Sequence, residues 1–371
     1  MILIEYILPF IAILSVLVFV HEYGHFWVAR RCGVHVEVFS IGFGRELFHW
    51  HDRHGTRWRF ALLPLGGYVR MRGDGDASSN PDGDAVRAMT AEEQATAFPT
   101  QPVMKRIAIV AAGPAANILF AIVVMAATFM TIGQSYTPPV VGEVLENSPA
   151  EQAGLMPGDR FLRLNGESVQ RFEDLQRIVS LRPEQTMSAE IERAGGVIQL
   201  DLTPERIEQE DSFGNPQPLG RIGVTRTGYE HTRHGPVTAV VEAVRQTWAL
   251  TGTIFDVIAQ IIRGDRSSSE IGGVARIAHM SGEVAQHGFT ATLNFMVLLS
   301  INLALINLLP VPMLDGGHLL FYFIEALRGK PLPEKVRDTS LRFGFALVIA
   351  LMVFASWNDL VYFRVLELFN V

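Results

Sequence analysis

The feature that most constrains this chain is a pair of histidines inside a segment apolar enough to cross a membrane. Residues 3–29 are almost entirely apolar, and as a helix they would reach about 40 Å, enough to span a bilayer. The segment contains the H-E-x-x-H motif His21-Glu22-Tyr23-Gly24-His25. An ionisable residue in such a helix costs about 2.5–3.5 kcal/mol on insertion scales, so its presence there indicates a function.

The spacing of this motif predicts a metal site. On a helix, residues i and i+4 lie on one face, so the imidazoles of His21 and His25 can bind the same ion. Glu22 lies beside them and can take a proton from a water that the metal activates, because zinc lowers the pKa of such a water to about 7. Other divalent metals also fit a site of two histidines and a carboxylate, but the motif favours one Zn²⁺ per chain.

A catalytic zinc needs a third protein ligand and an open position. Asp315 is the candidate, because Pro310 and Pro312 end an apolar segment just before it and leave it on unwound chain. His318 is the rival third ligand, since it lies one helical turn further on. Its alternative role is to support a ligand from behind or to lie at the membrane interface.

Three more segments are long and apolar enough to cross the membrane, at about 107–132, 293–309 and 341–362. The first segment is predicted to be a retained helix and not a secretory signal, because Glu5 is its only early charge. Segment 236–262 is helical but amphipathic and is predicted to lie at the interface. It carries polar residues that lipid tolerates badly, namely Glu242, Arg245, Gln246, Asp256 and Gln260.

Positive charge orients these spans, because basic residues favour the cytoplasmic side. The basic clusters are Arg30 and Arg31, Lys105 and Arg106, and Arg328, Lys330, Lys335, Arg337 and Arg342. Four spans then place both termini and residues 139–206 outside. The first and third spans run in the same direction, so the two histidines and Asp315 are expected towards the same, cytoplasmic face.

Composition excludes other classes. Hydrophobic residues make up 49% of the chain, and the net charge is −7 with no compensating basic block, which argues against a nucleic-acid partner. The single cysteine, Cys32, excludes an intramolecular disulfide and a cysteine-rich zinc site.

The chain between the first two spans is predicted to be partly sheet and partly loop. Residues 34–72 suggest short strands, with a hairpin over 60–69 around Gly66-Gly67. Residues 73–100 are rich in Gly, Asp, Ser and Ala, which leaves little to bury and predicts a mobile loop.

Three amides stand in the apolar spans: Asn117, Asn302 and Asn307. Because an unpaired amide is costly in hydrocarbon, they should face the interior of the bundle. They either bond neighbouring helices or bind the backbone of an unwound substrate, whose peptide groups must be satisfied.

Residues 139–206 closely resemble a PDZ domain of the bacterial protease type. The resemblance rests on Gly142-Glu143-Val144, Ser148-Pro149-Ala150, Pro157-Gly158-Asp159 and the hairpin signal Asn165-Gly166. It implies that Phe172–Val179 is the helix lining a peptide groove, since PDZ domains bind peptides by strand addition. The alternative is a packing module that binds nothing and blocks access.

The whole chain resembles the site-2 protease family of intramembrane zinc metalloproteases, and its bacterial RseP-type (regulator of sigma-E) branch most closely. The matching motifs are His21–His25, Leu63-Pro64-Leu65-Gly66-Gly67-Tyr68-Val69, Gly113-Pro114-Ala115-Ala116-Asn117, and 307–317. They follow the family's order and cover nearly all of the chain.

The resemblance implies a function for each motif. His21, His25 and Asp315 would be the zinc ligands and Glu22 the general base, with Asn117 and His318 behind them. The Leu63–Met71 hairpin would dip into the membrane and pair with substrate through Leu65, Gly66, Gly67 and Tyr68. Asn302 and Asn307 would contact the unwound strand.

The resemblance also implies the substrates, which would be single-pass membrane proteins already cut outside the membrane, such as anti-sigma factors and remnant signal peptides. The location would be the bacterial inner membrane. One departure stands out: the RseP-type enzymes have two tandem PDZ domains, whereas residues 207–235 are too short for a second one here.

The predicted fold is therefore a mainly α integral membrane protein with four transmembrane helices, a membrane-associated β-hairpin and an inserted α/β PDZ domain. Its parts are a membrane core at 1–133, the PDZ domain at 134–206, a linker and interfacial helix at 207–291, and a second membrane core at 292–371. Two other functions remain, a membrane-tethered scaffold with a degenerate protease core and a zinc transporter. Glu22 argues against the first, and the absence of an internal sequence repeat argues against the second.

Overall fold

The computed structural model describes residues 3–75, 83–210, 216–228, 230–264 and 272–363. The chain divides into two compact units, one of Met1–Ala126 with Val240–Val371 and one of Ala127–Ala239. A π-helical turn, Leu3–Ile7, precedes the helices α1 (Leu8–Arg31), α2 (Gly83–Ala88), α3 (Ala91–Ala95), α4 (Val103–Thr131), α5 (Pro149–Gln152), α6 (Phe172–Ser180), α7 (Pro236–Arg263), α8 (Val274–Gln286), α9 (Phe289–Leu308), α10 (Asp315–Arg328) and α11 (Glu334–Tyr362).

The strands lie between the first two apolar helices and within the second unit. They are β1 (Val36–His51), β2 (Arg57–Met71), β3 (Gln134–Tyr136), β4 (Val141–Val144), β5 (Arg160–Leu164), β6 (Glu167–Ser168), β7 (Met187–Arg193), β8 (Gly196–Leu202), β9 (Glu205–Glu210), β10 (Pro216–Arg221), β11 (Val224–Arg226) and β12 (Glu230–Thr232).

Four of the described helices are long and apolar enough to cross a membrane: Ile4–Arg31, Val103–Thr131, Phe289–Leu308 and Lys335–Tyr362. They correspond to the four predicted spans. Most of their surface is exposed, which is the pattern of helices that face lipid and not water. With the family shown below, they make this a multi-pass membrane protein.

The sheet of the first unit differs from the prediction. β1 and β2 form one long hairpin whose turn lies at 52–56, not at Gly66-Gly67. Both strands bend, so that segment 36–41 pairs with 67–71 on one side and with 57–60 on the other. The two glycines stay within β2. Gly66 bends the strand with φ +147°, and any side chain at Gly67 would meet Val18 and Glu22 of α1.

The predicted mobile loop at 73–100 is also wrong for its second half, while residues 76–82 lie outside the described part of the chain. Residues 83–95 form α2 and α3, and Thr90 caps α3 through a hydrogen bond from the backbone N–H of Glu93. Ala97 and Phe98 are fully buried. Phe98 packs in a cluster with Phe26, Phe39 and Ile109, so one large side chain anchors a segment whose average composition suggested nothing to bury.

The segment before the third span contains two helices. α7 matches the predicted amphipathic helix, whereas α8 was not predicted. The start of α8 is capped from α11, where Asp359 accepts hydrogen bonds from the backbone N–H groups of Gly273, Ala275 and Arg276. A cap supplied by a distant part of the chain leaves no local sequence signal.

The second unit is built around a four-stranded antiparallel sheet, in the order β6-β5-β7-β8. Helix α6 buries Leu175, Ile178 and Val179 against it. β11 pairs with β4 and β12 pairs with β3, and Ile222 belongs to the same core. The predicted boundary at residue 206 is therefore wrong, because chain assigned to a linker completes this unit.

Candidate metal centre

Three side chains meet between α1 and α10. Nε2 of His21 lies 3.2 Å from Nε2 of His25, and Oδ2 of Asp315 lies 3.1 Å from the first and 3.5 Å from the second. A tetrahedral zinc with bonds of about 2.0–2.1 Å has ligand atoms about 3.3–3.4 Å apart. The triangle therefore has the size of one face of a zinc coordination shell. Oδ2 of Asp315 is buried with no hydrogen-bond partner among the described residues, as expected of an atom shaped to bind a cation.

His25 is held in the form that a metal requires. Its Nδ1 lies 2.9 Å from the backbone carbonyl oxygen of Ile109 on α4. A carbonyl only accepts, so Nδ1 carries the hydrogen and Nε2 keeps its lone pair for a metal. Both histidines are 8% exposed, which shields the site from bulk water.

Asn117 orients the imidazole of His21, as Ile109 orients that of His25. Its amide nitrogen lies 3.3 Å from Nδ1 of His21, while its Oδ1 is buried without a partner among the described residues. The two ends of an amide are assigned from the surrounding bonds. Turning the amide over lets Oδ1 accept from Nδ1–H, which satisfies the oxygen and frees Nε2 of His21. Ser300 donates to the carbonyl oxygen of Asn117 at 2.9 Å and ties α9 to this point.

Asp315 is presented by a tightly folded loop. The unwound chain is 309–314, and Asp315 is the first residue of α10, so the prediction that Asp315 itself lies on unwound chain is corrected. Gly316 and Gly317 touch the carbonyls of Leu308 and Val311 so closely that no Cβ fits at either position. Met313 has φ +91°, a strained backbone for a large side chain.

A close helix contact brings α4 to the histidines. Gly24 of α1 faces Ala112 and Ala116, and Gly113 faces both imidazoles; a Cβ at either glycine would overlap these atoms. Small residues allow the two helices to approach in this way. Pro114 lies within α4 and has no N–H to donate to the preceding turn.

A cavity of about 280 Å³ opens beside the three ligand side chains. Glu22 lines it, next to His21 and His25 and against Gly67. The other wall is β2, whose residues Gly66, Gly67 and Tyr68 line the same space. Among the described residues, segment 67–70 pairs with another strand on one side only, and Gly67, Tyr68 and Val69 of this segment line the cavity.

The structure places the remaining predicted site residues at different points of the first unit. Asn307 and His318 line the cavity beside the ligands. Among the described residues the three-ligand group is His21, His25 and Asp315, without His318. Asn302 lines a different cavity with Thr253 and Ile254 of α7, so it is not brought to the metal group. Leu65 lies on β2 beside Gly66.

Sequence reasoning missed two contributors. The carbonyl of Ile109 carries no side-chain signal, so no motif could have revealed it. Gly113 belongs to the motif Gly113–Asn117, and its lack of a Cβ is the property that the site uses.

Comparison with known proteins now decides the family. The model of peptidase family M50 matches residues 9–351. This chain belongs to that family. A candidate zinc metalloprotease of Rhizobium meliloti (strain 1021) is 44% identical over 361 residues, 96% of each chain. Metalloprotease MmpA of Caulobacter vibrioides is 36% identical over 371 residues, covering 94% of this chain and 93% of that protein. The M50 member described here is a zinc metalloprotease.

A solved structure is similar to part of the chain. The PDZ domain of the SdrC-like protein Lmo2051 from Listeria monocytogenes has 19% identity and a TM-score of 0.20, and the match covers 25% of this chain and 90% of that one.

Proposed function

We propose that this zinc metalloprotease cuts peptide bonds inside the membrane, in the transmembrane segments of single-pass membrane proteins. The observation that carries the proposal is one cavity lined by three groups of residues. His21, His25 and Asp315 form a ligand-sized triangle, Glu22 lies beside them, and β2 lines the same cavity. The helices that carry the histidines and lead to Asp315 have the length and composition of membrane spans.

The proposed division of labour follows from the side chains. His21, His25 and Asp315 would hold Zn²⁺, with Ile109 and Asn117 orienting the two imidazoles. When bound, zinc polarises a peptide carbonyl and acidifies a coordinated water. Glu22 accepts the proton of the attacking water and delivers it to the leaving amine. Glu22 lines the cavity without belonging to the ligand triangle, as a general base requires.

Substrate would bind as an extended strand. A helix hides its peptide groups, so a membrane segment must unwind before it is cut, and its exposed N–H and C=O groups then need partners. Among the described residues, segment 67–70 pairs with a strand on one side only, which leaves its other edge for a substrate strand, and Asn307 offers a side-chain amide at the same cavity. Strand addition to such an edge supplies main-chain hydrogen bonds regardless of substrate sequence.

We also propose the location and the substrate class. The basic residues at the ends of the spans support an enzyme of the bacterial inner membrane whose metal site lies towards the cytoplasm and whose termini lie outside. The relatives named above are bacterial proteins. The substrates would be anti-sigma factors or remnant signal peptides, shortened beforehand by another protease.

The second unit is proposed to be a PDZ domain that binds an extended peptide. A cavity of about 340 Å³ lies between α6 and the chain at 219–224. Its walls are mainly apolar, with Leu145, Phe172, Leu175, Val179, Leu219, Ile222 and Val224. This groove would accept apolar side chains of a peptide beside the strand, whereas a module that only blocks access would need no groove.

The experiment uses the purified full chain in detergent and a fused single-span substrate. Wild type is compared with Glu22→Gln, each with and without a zinc chelator, and zinc content is measured in parallel. Cleavage by wild type alone, lost with the chelator and restored by zinc, supports the proposal. Glu22→Gln should retain zinc and cut nothing, because the base is not a ligand. Cleavage by Glu22→Gln at the wild-type rate would reject this mechanism.

A further inference from the structure

Helix α10 carries polar groups at both ends of one side. Asp315 is its first residue, and Leu319, Tyr322 and Glu325 follow at intervals of four, three and three. This spacing places all four on one side of an α-helix. Leu319 and Tyr322 pack into the cluster of α1, α4 and the sheet, so the whole side faces the interior of the first unit.

The far end of this side is held by an ion pair. Nη1 of Arg106 lies 3.1 Å from Oε2 of Glu325, and Nη2 lies 2.5 Å from Oε1. The side chains are 12% and 16% exposed. The Arg106 guanidinium also lies 4.8 Å from the ring centre of Tyr322, and that ring meets Phe98 edge-on. Two parallel bonds and a stacked ring fix both the height and the rotation of α10 at this point.

Arg106 belongs to the helix that orients the two histidines. On α4, one turn after Arg106, Ile109 accepts the hydrogen bond from His25, and Asn117 lies beside His21. The two histidines and Asp315 come from helices α1 and α10, which both pack on α4. A change in the position of α10 against α4 therefore changes the distance from Asp315 to both imidazoles.

We propose that Arg106 and Glu325 are positioning residues for the metal site, which set the place of Asp315 by fixing α10 against α4. The proposal rests on the ligand set given under the proposed function. A buried ion pair often stabilises a fold no more than well-packed apolar side chains of similar volume, but two parallel hydrogen bonds define one geometry. Apolar contacts such as those of Leu319 tolerate small rotations, whereas a bidentate pair does not.

The test is a double-mutant cycle on the full chain in detergent, with Arg106→Gln, Glu325→Gln and the double variant. Zinc affinity is measured by competition with a chelator, and thermal unfolding of the metal-free protein is measured separately. We expect each single variant to bind zinc about tenfold more weakly. The double variant should be no weaker than the worse single variant, because the two residues act as one unit.

Lys105→Gln is the matched control. It removes the same charge from the neighbouring position, where Nζ bonds the carbonyl of Cys32 and the side chain of Gln101. Its zinc affinity should stay within about twofold of wild type, since an exposed contact of this kind contributes little. Arg106→Lys keeps the positive charge but lacks the planar guanidinium that bonds both oxygens of Glu325. It should therefore fold and bind zinc with intermediate affinity, even where the Gln variants unfold.

Unchanged zinc affinity in folded Arg106→Gln or Arg106→Lys, with only a lower unfolding temperature, overturns the proposal. Losses that add in the double variant overturn it as well. Asp315→Asn is the reference that separates a failure of the proposed ligand set from a failure of the positioning role. If it leaves zinc affinity unchanged, the ligand set itself is wrong, whereas a loss there without a loss in the Arg106 and Glu325 variants rejects the positioning role alone.

Discussion

Gly113 of α4 lies so close to the imidazole of His25 that a methyl group at position 113 would overlap Nε2, the atom turned towards Asp315. The same methyl would press on the ring of His21. The glycine therefore serves the metal site through the space it leaves. Glycine within a helix otherwise costs about 1 kcal/mol relative to alanine. Position 113 therefore lowers the stability of α4 in order to leave room for the two imidazoles.

Gly113→Ala should consequently weaken zinc binding although alanine is the better helix former. We expect a loss of about 10–100-fold in zinc affinity and a matching loss of cleavage, measured by chelator competition and by substrate assay. Gly252→Ala on α7 is the control, because nothing lies near a Cβ built there. That variant should keep its zinc and gain slight stability. Wild-type zinc affinity in Gly113→Ala would show that the imidazoles move aside freely.

Asp315→Asn should lower zinc affinity more than His318→Ala. The carboxylate of Asp315 completes the ligand triangle, whereas His318 packs near Phe321 and Tyr322. We expect at least about tenfold weaker binding for Asp315→Asn and less than about twofold for His318→Ala, both measured on folded protein by chelator competition. Full zinc occupancy in Asp315→Asn, together with loss of zinc in His318→Ala, would move the third ligand to His318.

Asn117 and Asn302 offer a matched pair of amides. Asn117→Ala removes the partner of His21 Nδ1 and leaves that ring free to turn, so zinc affinity should fall about 10–100-fold. Asn302→Ala alters a separate cavity and should leave zinc affinity unchanged. If Asn302 contacts substrate, Asn302→Ala should raise KM. Equal zinc affinities in the two variants would contradict the orienting role of Asn117.

The sequence alone predicts those features that a local pattern of residues determines. The four spans follow from unbroken apolar runs, and the H-E-x-x-H spacing places two imidazoles on one face of α1 without further information. Asp315 was selected by its position after Pro310 and Pro312. The structure brings these three side chains within contact distance of one another.

Features that depend on distant contacts were not accessible in the same way. The turn of the β1–β2 hairpin was placed at Gly66-Gly67 because glycine pairs usually mark turns, but here they allow a strand to bend against α1. Phe98 anchors a segment that is otherwise poor in apolar residues. Ile222 and β11 complete the second unit across about 80 residues of chain. Each of these is decided by a partner that no short window of sequence contains.

The second unit contains a pH-sensitive ion pair. Arg193 donates to Asp159 through Nε at 2.7 Å and Nη2 at 2.6 Å, and the Asp159 side chain is 1% exposed. Burial would raise the pKa of Asp159, but the bonds from Arg193 and from the backbone N–H of Met156 hold that pKa below its usual value. Because the folded-state pKa is the lower one, the carboxylate stabilises the unit above the unfolded pKa of about 3.9.

Arg193→Gln should therefore destabilise the second unit by about 2–3 kcal/mol at pH 7, since a hydrogen-bonded charge is left buried without its partner. The difference from wild type should shrink as the pH falls through the folded-state pKa of Asp159, which lies higher in Arg193→Gln than in wild type, and should be smallest once the carboxyl is protonated in both proteins. At each pH the protein is equilibrated at a series of urea concentrations and then exposed briefly to a protease. Cleavage within residues 127–239 reports the unfolded fraction of the second unit, and hence its free energy of unfolding. Arg163→Gln, at an exposed position of β5, should change little at any pH. A gap between Arg193→Gln and wild type that stays constant from pH 7 to pH 3 would show that Arg193 acts through packing and not through the charge of Asp159.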